Sequence, residues 1–503
     1  MAILRNVSWT GTGQVVRQGL QFLVVTVLAR LLAPADFGLL ALATVFTGFA
    51  AMFSDFGMSA AVIYRQDASS AELDFAFWLN IAVGMLLTSV CIAVAPVIGT
   101  FYGDPRVIPL VRAVALTFAI GSIETLPQCL LQKAFRFRAL TLVDCSAATL
   151  AGAVAVLMAL HGFGVWSLVA QVLATTAVSV TLKWILVSWR PGLRFHWRDG
   201  TALWRFGTNL LGFNAVNYWC RNGDNLLIGR FCGAAELGLY SRAYSLMLLP
   251  VTQVQGVLSS VMFPTLAALR DSKEAFRRTY LMACQSISLV AFPVMLGMLV
   301  EADDLIHVLW GPRWTGVVPI IRVLSIAGLG NAVATTVGWI YTATGRTNLM
   351  FRWSLVTAPV MLGSFAFGLR WGAYGVAVAY VAVFYPILWY PTWTIALRLI
   401  DLPFSLAMRN LLKPLAASSA MAMCVFALRS VMPSRMPSVR LAATTVVGFI
   451  VYALLVALLR IPALISVRRQ AVITFRSGVV SSPIGPLPGG VSDHESPVQV
   501  RTL

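Results

Sequence analysis

The chain has 503 residues, of which 59% are hydrophobic and 11% are charged, whereas a soluble domain carries roughly 25% charged residues. Apolar stretches of about 20 residues recur from end to end, which excludes a soluble enzyme and predicts a polytopic membrane protein. The net charge of +18 alone is compatible with nucleic-acid binding, but the distribution of that charge argues against it.

The apolar stretches predict an all-α protein with about fourteen transmembrane helices. The segment before the first span has too few apolar residues for a secretory signal. The predicted spans are 14–33, 37–58, 77–101, 107–129, 140–160, 165–187, 207–231, 239–265, 279–300, 316–343, 353–369, 374–396, 410–428 and 441–459.

Lys and Arg collect in the segments that lie on the cytoplasmic side when both termini are cytoplasmic, as the positive-inside rule expects. The outside loop after span nine is acidic at 301–304, which agrees with this orientation. One loop is an exception, because Arg429, Arg435 and Arg440 would lie outside. Anionic lipid near the cytoplasmic loops accounts for the excess positive charge without nucleic acid.

A short motif occurs twice, as ARLLAPADFGL at 29–39 and as GRFCGAAELGL at 229–239. Both copies end an odd-numbered span and run in the same direction, so we expect a parallel duplication of six spans, typical of transporters with a path between two halves. In each copy a charged pair would close an outside turn, and a glycine would allow close helix approach. The residues concerned are Arg30, Asp36, Gly38, Arg230, Glu236 and Gly238.

Five regions follow from the duplication. They are an N-lobe at 1–187, a cytoplasmic interfacial linker at 188–206, a C-lobe at 207–397, a hairpin of spans thirteen and fourteen at 398–460, and a tail at 461–503. The tail is rich in Pro, Gly and Ser and is expected to be disordered.

Polar side chains inside apolar spans mark cavities or partners. Span seven has one polar face, formed by Asn217, Arg221, Asp224 and Asn225, and span one has a similar stripe, formed by Gln14, Arg17, Gln18 and Gln21. We expect the two stripes to face each other across a central cleft, where arginine suits phosphate because its planar fork donates two parallel hydrogen bonds. Two alternatives stay open: Arg221 forms an ion pair with Asp224, or Arg17 extends to the cytoplasmic surface.

Three acids lie toward the predicted cytoplasmic ends of their spans, namely Asp55, Glu124 and Asp144. They are candidates for coupling to protons or cations, although helix packing or pairing with basic groups is the favoured interpretation. The seven cysteines and four histidines are scattered, so neither a metal site nor a cofactor is expected.

Three segments carry a family resemblance: VLARLLAPADFGLLAL, DNLLIGRFCGAAELGLYSRAYSLMLLP and RWGAYGVAVAY. They resemble the Wzx-type polysaccharide flippases, in particular the colanic-acid and exopolysaccharide exporters of the multidrug/oligosaccharidyl-lipid/polysaccharide (MOP) superfamily, and the resemblance covers roughly residues 1–460. It implies a MATE-like fold of two six-helix lobes with two extra helices that guide a lipid tail. It also implies alternating access that moves an undecaprenyl-diphosphate-linked oligosaccharide to the periplasmic leaflet for exopolysaccharide or lipopolysaccharide synthesis.

Other classes of protein remain as alternatives. A MATE-like small-molecule exporter would need an acidic cavity without a midplane arginine. A membrane polymerase or glycosyltransferase would need a large periplasmic loop, whereas the outside loops here are short, so an enzyme is not expected. A structural role in a polysaccharide assembly complex is the last alternative. For the flippase, we expect a bacterial inner-membrane location, with the lipid-linked oligosaccharide, membrane lipids and the polysaccharide polymerase and assembly machinery as partners.

Overall fold

The computed structural model describes residues 2–54, 70–192, 218–219, 221–433 and 436–459. All regular secondary structure in these residues is helical, which confirms the all-α prediction. The α-helices, numbered α1 to α16 in chain order, are Ala2–Leu31, Pro34–Ala51, Ser70–Tyr102, Val107–Ser122, Thr125–Lys133, Phe137–Leu160, Val165–Leu186, Gly233–Ala268, Lys273–Leu309, Val317–Ala334, Val337–Ala343, Thr347–Gly368, Gly372–Val383, Tyr390–Leu397, Phe404–Val431 and Pro437–Leu458. Residues 221–231 are also helical and are called helix 221–231.

The helices are long and apolar enough for a multi-pass membrane protein. Within the described residues, 9 segments meet the length and hydropathy needed to cross a membrane, and the bent pair α4 and α5 raises this to 10. One of the 9 segments, Thr347–Ile400, has 54 residues, which suffices for two spans of about 20 residues each. Gly372, with φ of +67°, turns the chain between α12 and α13 inside that segment. The total of fourteen spans remains a prediction.

The helices pack in two sets, one N-terminal and one C-terminal. On the N-terminal side, α1 packs on α6, α3 packs on α4, and α7 packs on α4 and α6. On the C-terminal side, α9 packs on α10, and α12 packs on α13. The two sets of helices meet where α2 packs along α8. We call them the N-lobe and the C-lobe, following the regions expected from the sequence.

The C-terminal helices α15 and α16 pack on α9 at the edge of the C-lobe. Charged groups hold their outer ends. Asp303 accepts hydrogen bonds from Arg322 and Arg429, each at 2.5 Å, and Asp304 accepts two from Arg440 at 2.6 Å. Under the predicted orientation, these contacts account for the exception to the positive-inside rule, because the acids at the end of α9 neutralise two of the three arginines in the exceptional loop.

Candidate functional site

The two copies of the repeated motif contact each other where α2 crosses α8. A Cβ atom added to Gly38 would lie 2.5 Å from the carbonyl carbon of Ala234, and one added to Gly238 would lie 2.7 Å from the carbonyl carbon of Pro34. Both distances are shorter than van der Waals contact, so only glycine fits at either position without moving backbone. The glycines of the motif therefore allow a close backbone approach between the lobes.

Hydrogen bonds link the same region of the N-lobe to α9. The Arg30 Nε donates to the carbonyl oxygen of Leu309 at 3.0 Å, and its Nη2 donates to that of Val308. These carbonyls belong to the last turn of α9, where helix carbonyl groups lack partners within the helix and favour a cation. Trp314 also crosses between the lobes, since its Nε1 donates to the carbonyl oxygen of Ala29 at 2.6 Å.

The second arginine of the motif makes the reciprocal contact. The Arg230 guanidinium lies 5.7 Å from the centre of the Phe101 ring, near the end of α3. Under the expected duplication, α3 corresponds to α9, so each lobe reaches the same helix end of the other. We call this set of contacts the outer seal: Gly38, Gly238, Arg30, Arg230 and Trp314.

The acids of the motif have partners other than the ones that the sequence suggested. Asp36 Oδ2 accepts a hydrogen bond from the backbone N of Ala33 at 3.0 Å, at the start of α2. Glu236 Oε2 accepts one from the backbone N of Ala373 at 3.2 Å, at the start of α13. The first amides of a helix lack acceptors within the helix, which is why a carboxylate is favourable there. The two charged pairs suggested by the sequence are therefore absent among the described residues, and each acid caps a helix instead.

A cavity of about 380 Å³ lies between α1 and α8. Gln18 and Gln21 line it from α1, and Arg242, Ser245 and Thr252 line it from α8. Both lobes thus present hydrogen-bonding groups to one space, and the cation among these groups is Arg242.

A smaller cavity of about 260 Å³ adjoins the first and shares Arg242 with it. Thr44 lines it from α2, and Asn222 and Asn225 line it from helix 221–231. The Arg242 guanidinium lies 5.1 Å from the centre of the Phe37 ring. Its Nε is buried and has no hydrogen-bond partner within the part of the chain that the structure describes. Arg242 therefore sits at the junction of both cavities with donor capacity to spare.

Two residues of the span-one stripe and one residue of the span-seven stripe line the cavities between the lobes. Gln18 and Gln21 line the larger cavity, and Asn225 lines the smaller one. The half-buried Arg17 donates from Nη2 to Gln14 Oε1 at 3.1 Å, so these two residues bond to each other nearer the N-terminal end of α1.

The charged residues of span seven separate from each other. Asp224 is buried, and its carboxylate accepts hydrogen bonds from the Tyr240 hydroxyl at 2.9 Å and from the backbone N of Asn225 at 2.7 Å. Arg221 is exposed and lines neither of the two cavities. The partner of Asp224 is therefore Tyr240 rather than Arg221. Asn217 lies outside the described residues.

Two of the three acids proposed for coupling, Glu124 and Asp144, lie in the N-lobe and line neither cavity. Glu124 forms an ion pair with the buried Lys183 and also accepts a hydrogen bond from the Ser179 hydroxyl at 2.8 Å. Asp144 is half-buried within electrostatic range of Lys183. Glu124 thus has the basic partner that the favoured interpretation expects, while Asp55 lies outside the described residues. The described residues contain no group of three metal-binding side chains.

Arg242 is not among the cavity residues expected from the sequence, because it lies close to the start of span eight, where an arginine is also compatible with a membrane surface. The signal was present in α8, where Ser241, Arg242, Ser245 and Thr252 recur at helical spacing on one face. Such a polar stripe opposite the glutamines of α1 would have indicated the cavity.

A third cavity, which is apolar and has a volume of about 470 Å³, lies between α9, α15 and α16. Most of the side chains that line it are apolar or aromatic, such as Leu289, Pro293, Met421 and Tyr452. The Tyr452 hydroxyl donates to the carbonyl oxygen of Leu289 at 2.7 Å, which fixes α16 against α9. This groove is where the resemblance expects the two extra helices to guide a lipid tail.

The helix order, the crossing and the shared cavity define a two-lobed membrane protein with the fold of the MOP superfamily transporters. The fold is similar to that of the lipid II flippase MurJ in an inward closed conformation, with a TM-score of 0.71 and 12% identity, covering 90% of this chain and 98% of that one. It is also similar to an inward-facing multidrug resistance MATE transporter of the MOP superfamily, with a TM-score of 0.59 and 13% identity, covering 81% and 98% of the two chains.

The chain belongs to the polysaccharide biosynthesis protein family, which matches residues 27–319. The lipopolysaccharide biosynthesis protein WzxC of Escherichia coli K12 is 26% identical over 76% of this chain and 78% of its own length. The teichuronic acid biosynthesis protein TuaB of Bacillus subtilis 168 is 30% identical over 81% of this chain and 86% of its own length. These relatives confirm the resemblance to polysaccharide flippases.

Proposed function

We propose that this protein is a flippase rather than an enzyme. It moves an undecaprenyl-diphosphate-linked oligosaccharide from the cytoplasmic to the periplasmic leaflet of a bacterial inner membrane, for exopolysaccharide or lipopolysaccharide synthesis. The observation that carries the proposal is Arg242, an arginine with a free donor placed among amide and hydroxyl groups of both lobes. Family membership supports a polysaccharide substrate, and the similarity to a lipid II flippase supports a fold able to move a lipid-linked one.

Each part of the substrate has a matching part of the cavity system. The diphosphate binds Arg242, whose guanidinium donates two parallel hydrogen bonds to phosphate oxygens. Sugar hydroxyls bind the side chains of Gln18, Gln21 and Asn225. The prenyl tail lies in the apolar groove formed by α9, α15 and α16. The diphosphate contact is thereby assigned to Arg242 and not to Arg221, because Arg242 lines both cavities.

Release to the other leaflet requires the outer seal to open. Opening breaks the bonds of Arg30 and Trp314 and also separates apolar side chains at the crossing, such as Phe37, whose ring centre lies 5.3 Å from that of Trp314. Each such hydrogen bond contributes about 0.5–1.5 kcal/mol net, and exposing the apolar contacts between the lobes adds to the cost of opening. Moving the two charges of a diphosphate outward gains roughly 4–5 kcal/mol per 100 mV of inside-negative potential. We therefore propose that the membrane potential contributes to driving the cycle, with no ion bound at Glu124 or Asp144.

The direct test is the analysis of lipid intermediates in a deletion strain that keeps its polysaccharide polymerase. We expect a diphosphate-linked repeat unit to accumulate on the cytoplasmic side while polymer is lost. Unchanged lipid intermediates and unchanged polymer, together with increased drug sensitivity, would instead identify a small-molecule exporter.

The role of Arg242 is tested by replacing it with alanine and with lysine. We expect Arg242→Ala to reduce polymer output about 10- to 100-fold, since a charged hydrogen bond contributes about 1.5–3 kcal/mol. Arg242→Lys should restore part of it, because lysine keeps the charge and loses the fork. The matched control is Arg370→Ala, which removes an exposed arginine beside Phe367. Normal output from Arg242→Ala, or a loss confined to Arg221→Ala, would contradict the assignment.

A further inference from the structure

A groove of about 540 Å³ lies between the cytoplasmic ends of α6 and α7, apart from the cavities between the lobes. Leu142 and Ile185 line it and are 55% and 72% exposed. In a membrane protein, apolar side chains this exposed face lipid. The groove therefore presents an apolar floor to the cytoplasmic leaflet.

Two arginines stand at the mouth of this groove, Arg136 and Arg138. Arg136 precedes the first residue of α6, and its Nη1 donates to the carbonyl oxygen of Leu186 at 3.0 Å, which holds the guanidinium across the gap between the helices. Basic pockets between transmembrane helices on the cytoplasmic side complement lipid phosphate groups. Charge at the mouth and an apolar floor together match a phosphate with an attached acyl chain.

The turn before α6 carries a second, independent sign of lipid contact. Phe135 has φ of +53°, a conformation that bulky residues rarely adopt, and its side chain is 68% exposed. At the corresponding turn of the C-lobe, Gly345 has φ of +71° and precedes Arg346. Arg346 occupies the N-cap position of α12, as Arg136 occupies that of α6. Glycine thus suffices for the turn itself. A strained phenylalanine beside the groove is accounted for by apolar contact with the membrane.

We propose that this groove binds an anionic phospholipid of the cytoplasmic leaflet. The lipid phosphate lies between Arg136 and Arg138, one acyl chain lies along Leu142 and Ile185, and Phe135 covers the mouth. The site is on the lipid-facing surface of the N-lobe and is separate from the substrate path. The proposed lipid binding therefore does not depend on which substrate the protein moves.

The test uses the full chain in detergent and measures lipid binding by native mass spectrometry. The probes are phosphatidylglycerol, phosphatidylethanolamine and undecaprenyl phosphate, each titrated separately. We expect tighter binding of phosphatidylglycerol than of phosphatidylethanolamine. Each of the substitutions Arg136→Ala and Arg138→Ala should lower the affinity for phosphatidylglycerol about fivefold. The matched control removes two cytoplasmic arginines of the C-lobe, Arg346→Ala and Arg352→Ala.

A further variant separates lipid binding from folding. Phe135→Gly places the C-lobe residue at the N-lobe turn, so it should leave the lipid-free melting temperature unchanged or higher while it lowers phosphatidylglycerol affinity. Equal losses in the Arg136/Arg138 pair and the control pair would overturn the proposal, as would equal binding of the two phospholipids. Preferential binding of undecaprenyl phosphate at this groove would overturn it too, because the groove would then belong to the substrate path.

Discussion

Replacing Gly38 with alanine should force the outer seal open. The new Cβ would lie 2.5 Å from the carbonyl carbon of Ala234 and 3.0 Å from the backbone N of Gly238. Since these are backbone atoms of α8, no side chain can rotate away to make room. The lobes must therefore separate at this crossing by an ångström or more, on the order of the shortfall from van der Waals contact.

The size of the effect follows from the same geometry. Overpacking at a close contact costs about 1–3 kcal/mol, and contact with backbone puts this case at the upper end. A cost near 3 kcal/mol carried only by the sealed state shifts the balance toward the open state by about 100-fold. Gly256→Ala is the matched control, because Gly256 also lies in α8 and a Cβ there meets nothing within 4 Å.

The assay is labelling of a cysteine at position 29 by a membrane-impermeant maleimide added from outside. Ala29 is 0% exposed in the sealed structure, so Ala29→Cys in a chain whose seven native cysteines are serine should react slowly. Adding Gly38→Ala should raise the labelling rate strongly and abolish polymer output, while Gly256→Ala should do neither. If Gly38→Ala labels no faster than Gly256→Ala at equal expression, the lobes do not seal at this crossing.

Two further predictions concern charges that hold helices together. Arg429→Ala should lower the free energy of unfolding by about 3 kcal/mol, because charged hydrogen bonds of a half-buried group contribute about 1.5–3 kcal/mol each. The control Arg106→Ala, which breaks the ion pair of the exposed Arg106 with Asp104, should cost under about 1 kcal/mol. Equal effects of the two variants on thermal unfolding in detergent would contradict this reasoning. Lys183→Met should cost about 3–5 kcal/mol by leaving the half-buried Glu124 without its cation, whereas adding Glu124→Gln should recover most of that loss. A double-mutant cycle on unfolding measures this coupling, and strictly additive effects would contradict it.

The composition of the chain was sufficient to predict an all-α membrane protein, because a bilayer tolerates only segments that satisfy their own backbone hydrogen bonds. The repeated motif also pointed to the glycines that matter. Gly38 and Gly238 stand at the same position in both copies, and close approach is the physical reason for glycine in a membrane helix interface.

The partners of the charged residues were decided only by the tertiary structure. Arg221 and Arg242 lie on either side of the motif, in neighbouring apolar segments. The pattern of a single helix does not define how that helix is rotated against its neighbours. Packing of α8 on α2 turns Arg242 into the cavity, while Asp224 turns toward Tyr240. Arg30 binds carbonyl groups of α9, nearly 280 residues away, rather than Asp36 in its own turn. Contacts of that sequence separation exist only after both lobes have folded and docked, which is why the sequence analysis gave Arg30 the nearest acid as its partner.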